Sequence, residues 1–170
     1  GCPCYFNSYK LSNDSFINLR IIDTCGQEKF HSIIESYYHK ADCCLLVYNI
    51  ADKNSFEKCE QYFVDTIKKK CKNNIPVILI GNKTDLESER EISFKEGEIL
   101  AFKNNFIFME TSCLKNENVS EAFKILIYIT YKNLKLKEVD LNNLKCSKII
   151  SFKKSIIIPE FMKLKKYINY

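Results

Sequence analysis

Cys43-Cys44-Leu45-Leu46-Val47-Tyr48-Asn49-Ile50 is a nearly continuous apolar run, and its reading decides the fold. A short run of this kind, without polar alternation, suits a strand buried on both faces of a parallel sheet. Pro76-Val77-Ile78-Leu79-Ile80-Gly81 repeats the pattern, and residues 105–109 form a third, shorter case. Between the first two, residues 53–70 place Phe56, Cys59, Tyr62, Phe63 and Ile67 at helical spacing. Ser93 N-caps a predicted helix through Phe102, with Glu96 at the capping-box position. A last clear helix starts near Asn118 and buries Val119, Ala122, Phe123, Leu126 and Ile129. Upstream, residues 5–11 and 16–22 read as two strands joined by the polar turn Ser12-Asn13-Asp14-Ser15, and residues 32–40 as a short irregular helix. A hairpin followed by strand and helix in alternation predicts an α/β doubly wound domain, its sheet mostly parallel with helices on both faces.

The chain has 170 residues and a net charge of +5, but the charge is unevenly placed. Residues 134–170 hold nine lysines against Glu138, Asp140 and Glu160, so this end carries +6 and the rest is close to neutral. That asymmetry predicts a globular body over 1–133 and a flexible basic tail over 134–170, and it argues against a nucleic-acid-binding face. A basic stretch without a lipid gives weak or no membrane binding. The nine cysteines are odd in number and scattered, without a zinc-type Cys-x-x-Cys pair. Reduced thiols and a cytoplasmic location are expected. No run of 18 apolar residues occurs.

Three stretches carry candidate chemistry, each at the end of a predicted strand. Ile21-Ile22-Asp23-Thr24-Cys25-Gly26-Gln27-Glu28-Lys29-Phe30 sets a carboxylate, a bare backbone N–H and an amide where ligands of open α/β sheets bind. The trio suits a magnesium-bound terminal phosphate: Asp23 for the metal shell, Gly26 for a phosphate oxygen, Gln27 for an attacking water. In Asn82-Lys83-Thr84-Asp85-Leu86, a carboxylate can accept two hydrogen bonds from the N1–H and amine of guanine. Adenine offers no such pair of donors and would leave the acid unpaired. The Lys83 stem can lie over the base, and Asn82 can tie the loop to its neighbours. In Glu110-Thr111-Ser112-Cys113-Leu114, backbone N–H groups can meet the guanine O6. Each stretch alone also reads as ordinary turn chemistry. Their common order and strand-end context favour a nucleotide site.

Over roughly residues 1–133 the sequence resembles a Rab-family small GTPase of the Ras-like group. Asp23-Thr24-Cys25-Gly26-Gln27-Glu28 is similar to that family's Asp-Thr-Ala-Gly-Gln-Glu, Ser36-Tyr37-Tyr38-His39-Lys40-Ala41 to its Ser-Tyr-Tyr-Arg-Gly-Ala, and Leu46-Val47-Tyr48-Asn49-Ile50 to its Leu-Val-Tyr-Asp-Ile. The resemblance implies a P-loop NTPase-type fold and a GTP-hydrolysing switch in vesicle traffic, with GTP/GDP and Mg2+ as cofactors. It implies that Asp23 holds the metal through water, Gly26 senses the γ-phosphate and Gln27 orients the hydrolytic water. It further implies that Asn82, Lys83 and Asp85 read guanine, supported by Ser112, Cys113 and Leu114. Residues 24–38 become the switch. That switch and the 5–22 hairpin become the surface for effectors, exchange factor and GTPase-activating protein, with Tyr37 or Tyr38 and Tyr5 or Phe6 as its aromatic members. A monomer, peripheral on endomembranes, is the implied state.

The departures from the family shape further expectations. No Gly-x-x-x-x-Gly-Lys-Ser/Thr occurs in the 170 residues, so the phosphate loop, switch threonine, first strand and first helix of the family are absent and the domain reads as truncated at its N-terminus. GTP binding is then expected to be poor, and the central place of the missing strand to leave two inner sheet edges unpaired. The tail lacks a C-terminal prenylation cysteine; its last cysteine is Cys146. Leu114 stands where the family has lysine, and Ile22 where it has tryptophan. The alternative is a nucleotide-free Rab-like pseudo-GTPase acting as a protein-binding module. A hydrolase of another kind lacks a nucleophile–base pair, His31 and His39 reading as surface residues.

Overall fold

The computed structural model describes residues 4–12, 15–24, 31–72, 74–141 and 152–159. Strands β1 (Cys4–Ser12) and β2 (Ser15–Thr24) form the predicted hairpin, antiparallel with Cys4 opposite Ile22. Helix α1 (His31–Lys40) leads into β3 (Cys43–Asn49). A continuous helical rod follows as α2 (Lys53–Lys58), a π-helical turn over Cys59–Phe63 and α3 (Val64–Lys70). The remaining elements are β4 (Val77–Asn82), a 3-10 segment (Thr84–Glu89), α4 (Phe94–Lys103), β5 (Ile107–Thr111), α5 (Val119–Leu141) and β6 (Phe152–Pro159). The sheet runs β1-β2-β6-β3-β4-β5, with β2, β6, β3, β4 and β5 mutually parallel.

The absence of polar alternation in β3 has its cause in burial on both sides. Cys44, Leu46 and Tyr48 enter one core with α1, the α2–α3 rod and α4, through Tyr38, Phe56, Cys59, Ile67 and Leu100. Cys43, Leu45 and Val47 enter the other, against Val119, Ala122 and Leu126 of α5. Leu45 and Leu46 are fully enclosed, and burying each contributes about 2 kcal/mol. The Ser93–Glu96 capping box at α4 forms as read from the sequence, with Glu96 N–H bonded to Ser93 Oγ and Ser93 N–H bonded to Glu96 Oε2.

Several details differ from the sequence reading. The π turn inserts an extra residue per turn and rotates the rod's buried face. Tyr62, expected in the core, is exposed while Val64 is buried. On α5 the buried position is Ile127, with Ile129 only half-buried. The boundary expected at residue 133 falls inside α5, which runs on to Leu141. The largest difference lies in the sheet. The place between β2 and β3, expected to be vacant with two unpaired edges, is taken by β6 from the basic tail expected to be flexible. Unpaired backbone groups on two buried strands are costly, and an extended isoleucine run is what the chain offers to meet them.

Candidate functional site

The C-terminal ends of β3, β4 and β5 stand in register, aligning Asn49, Asn82 and Thr111. Around this row the loops interlock. Buried Asn82 accepts at Oδ1 from Thr111 Oγ1 at 3.0 Å and from the Cys113 thiol at 3.4 Å. Its carbonyl accepts from Ile50 N–H at 3.0 Å. One residue on, Lys83 turns the chain with left-handed φ 70, ψ 42 and an exposed side chain. This conformation costs a non-glycine residue about 1 kcal/mol. It swings the loop over so that Leu86 N–H reaches Lys83 O at 2.9 Å.

The turn brings Asp85 to Ser112, whose hydroxyl donates to Asp85 Oδ1. Ser112 is itself fully buried and braced: its Oγ accepts from Lys115 N–H at 3.1 Å, and its backbone exchanges both hydrogen bonds with Glu117. Asp85 is thereby held from one side, through Oδ1. Burial pushes the Cys113 thiol above its ordinary pKa, so this sulfur stays protonated as a donor to Asn82.

Two charged side chains that the sequence reading did not single out lock the loop from below. Arg90, which closes the 3-10 segment carrying Asp85, donates to Glu110 Oε1 at 2.7 Å and Oε2 at 2.9 Å. It also holds both oxygens of Glu87 and the carbonyl of Ile92. These bonds raise the arginine pKa further, and the Arg90 hydrogen bonds lower that of Glu87. The available signal was compositional: Arg90 is one of two arginines in a chain otherwise using lysine. Thr111 was likewise passed over in favour of its neighbours. Leu114 is 76% exposed.

Asp23 lies at the end of β2, paired in register with Ile158 of β6. With β6 and β3 between β2 and β4, it stands three strand spacings, about 14 Å, across the sheet from β4, and, since Ile157 pairs with Cys44, it is level with Leu45 and not with the Asn49–Asn82 row. Gly26 and Gln27 lie outside the described residues. Among the described residues no cluster of three His, Cys, Asp or Glu side chains is placed to hold a metal, and no helix is long and apolar enough to cross a membrane. Of the aromatic candidates, Phe6 is 77% exposed and Tyr37 sits half-buried with the Arg20 guanidinium over its ring at 5.8 Å. Tyr38 belongs instead to the core. Phe6, Asn18, Arg20 and His39 line a cleft of about 1040 Å³ between hairpin and α1.

Residues 4–132 match the profile of the Ras family. The chain is 45% identical over 123 residues to human "Ras-related protein Rab-17", covering 72% of this chain and 58% of that protein. It is 42% identical over 123 residues to the mouse protein of that name, covering 72% of this chain and 57% of the relative. Against "Ras-related protein Rab-11B" of Dictyostelium discoideum it is 41% identical over 142 residues, covering 81% of this chain and 64% of the relative. It thus spans somewhat over half the length of the curated relatives it matches.

Proposed function

We propose, because this chain belongs to the Ras family and to its Rab branch, that it acts as a guanine-nucleotide switch in membrane traffic. The observation that carries the reading is the Asp85–Ser112 and Asn82–Thr111 lattice. It presents a fixed carboxylate beside a left-handed turn whose lysine stem is free to cover a base. Guanine satisfies that carboxylate with two N–H donors, and adenine leaves it desolvated and unpaired, which disfavours adenine by about 1–3 kcal/mol. Asn82 acts as a strut that holds the reading loop to β5, and Lys83 as the cover of the base plane. Cys113 and Leu114 contribute backbone N–H groups toward the base, and Ser112, whose own N–H is held by Glu117, contributes by orienting Asp85.

The phosphate half of the site follows from family membership and the order of the chain. Asp23 serves as the carboxylate toward Mg2+, Gly26 as the γ-phosphate contact, and Gln27 as the residue orienting water for hydrolysis. One carboxylate does not hold Mg2+ alone; the ion keeps waters and binds jointly with nucleotide phosphates. No glycine-rich phosphate loop occurs within the 170 residues, so the chain by itself reads the base far better than it holds the phosphates. Phe6, Tyr37 and the adjoining cleft are the surface offered to effectors and regulators. The second reading, a protein-binding module without nucleotide, rests on that missing loop together with the exposed Phe6.

Titration of the 170-residue chain with GDP and with ADP, followed by amide NMR, separates these readings. GDP is expected to bind weakly and to perturb Lys83, Asp85, Ser112 and Cys113, with ADP silent and the effect lost in Asp85→Ala. In Asp85→Asn the donor and acceptor pattern is altered, and xanthosine diphosphate should replace GDP as the preferred ligand. Equal responses to GDP and ADP overturn base reading and favour the binding module. Submicromolar, magnesium-dependent GTP binding overturns the account of the phosphate half.

A further inference from the structure

We propose that the cavity at the N-terminal ends of β4 and β5 is a binding site for a small soluble amphipathic anion, an acid group on a compact apolar body. The cavity measures about 510 Å³ and is lined in part by Val77 and Ile107, the first residues of the two strands. Such a volume encloses a small organic molecule. It lies at the opposite end of β4 from Asn82. The strand between them spans about 17 Å, and the inference does not depend on the nucleotide reading.

The first observation is unmatched charge. Lys68 of α3, Lys72 and Lys103 of α4 line the cavity, and no acidic side chain does. All three are exposed. Lys72 is offset by Asp42 at 3.3 Å. Lys68 has only a neutral partner among the described residues, its ammonium donating to Asn104 Oδ1 at 2.6 Å. That amide is itself fixed, since Asn104 Nδ2 donates to the Leu100 carbonyl at 2.7 Å. Lys103 has neither a hydrogen bond nor an ion pair among the described residues. Nor does it cap its own helix. The carbonyls of Leu100, Ala101 and Phe102 accept from the Asn104 side chain and from the N–H groups of Asn104, Asn105 and Phe106. Two ammonium groups thus share one opening without a counter-charge, and an anion between them relieves their repulsion.

The second observation is the floor. Ile75, Pro76, Phe106 and Ile129 line the cavity and are only half-buried, so the core leaves part of their apolar surface uncovered. Exposed charge over a half-buried apolar floor sets the orientation of an occupant, with its acid group outward and its apolar body inward. A lipid held in a bilayer presents the reverse order, its headgroup entering first and its chains staying behind. An inorganic anion satisfies the lysines and leaves the floor wet. The fitting occupant is an aryl or short alkyl carboxylate, sulfonate or phosphate.

The full chain titrated with anilinonaphthalenesulfonate, followed by fluorescence and amide NMR, tests this. Shifts should gather on Asn74, Ile75 and residues 103–107 and leave Lys83 and Ser112 unmoved. N-phenylnaphthylamine, the same rings without the sulfonate, should bind about tenfold more weakly. Lys68→Gln combined with Lys103→Gln should weaken the sulfonate about tenfold while the thermal midpoint holds. Inorganic phosphate should displace the probe only at far higher concentration. Equal binding of the charged and neutral probes, unchanged affinity in the double variant, or shifts centred elsewhere overturns the proposal. Displacement by phosphate at the probe's own concentration also overturns it, by removing the apolar body from the assignment. So does sedimentation with phosphatidylcholine vesicles carrying phosphatidylserine that the double variant abolishes, in favour of a bilayer as the occupant.

Discussion

The Arg90 guanidinium grips the Glu110 carboxylate through two hydrogen bonds of 2.7 and 2.9 Å, with the side chains 18% and 14% exposed. This fork joins the segment that carries Asp85 to the strand that carries Thr111. Arg90→Ala removes both ends of the clamp and leaves Glu110 without its partner. The expected cost is about 2–3 kcal/mol, at the low end for a buried pair because both groups keep some solvent. Arg90→Lys should recover only part, since a single ammonium cannot match the bidentate geometry. Thermal unfolding of the two variants checks the ranking; equal stability of Arg90→Lys and the parent refutes it.

Gly97 permits α4 to lie against β3 and β5. A Cβ there would stand 2.4 Å from both Phe108 Cζ and Tyr48 Oη. Gly97→Ala is expected to destabilise by about 2–3 kcal/mol through overpacking, despite alanine's higher helix propensity.

The Tyr48 hydroxyl is buried without a hydrogen-bond partner among the described residues, so Tyr48→Phe is expected to stabilise by about 1 kcal/mol. Because that oxygen is one of the obstructing atoms, with Cζ and Cε2 of Phe108, Tyr48→Phe should also reduce the cost of Gly97→Ala. A double-mutant cycle in urea measures the coupling, and strict additivity would exclude the contact as the cause.

Ser112→Ala deletes the donor that orients Asp85 while keeping the carboxylate. Guanine selectivity should fall about tenfold, corresponding to roughly 1.4 kcal/mol, with the fold intact. Competition between GDP and ADP reads this directly, and far-UV circular dichroism shows whether the fold has moved. Thr111→Val should act instead through stability, because Asn82 then keeps only the weak Cys113 donor.

Burial pushes the Cys59 thiol up to about 12 from its ordinary 9.0, and that of Cys71 up to about 11. A folded-state pKa above the unfolded one means that the native chain retains protons the unfolded chain releases. The associated stability is complete below pH 9 and is lost as pH climbs from 9 towards 12. Each thiol adds up to about 1.4 kcal/mol per pH unit to that slope. Cys59→Ala should flatten the fall in urea midpoint across this range; an unchanged slope would assign the alkaline loss to other groups.

The buried strands were legible in the sequence because enclosure on both faces leaves an unbroken apolar signature, as in Leu45 to Tyr48. The capping box at Ser93 was legible because its chemistry is local. Loop geometry at Asn82 and Asp85 was legible in part, since side-chain type names a chemistry, while the supporting fork from Arg90 spans 20 residues to Glu110 and leaves no periodic mark. The π turn at Cys59–Phe63 was not legible, because helical spacing alone cannot show a local extra residue. Tyr37 and Tyr38 are adjacent and chemically alike, and only packing separates the half-buried ring from the core one. β6 was hidden by its own lysines and proline, which read as tail.

The order in which the strands are synthesised differs from their order in space. β6 sits third in the sheet but is the last of the described elements to be made. It pairs with residues of β2 about 135 positions earlier, so loop closure of that size precedes any reward from the central ladder. During translation at about 5–20 residues per second, β2 and β3 therefore emerge several seconds before β6 can pair with them. Over that interval any chaperone that binds extended apolar backbone competes with β6 for these strands.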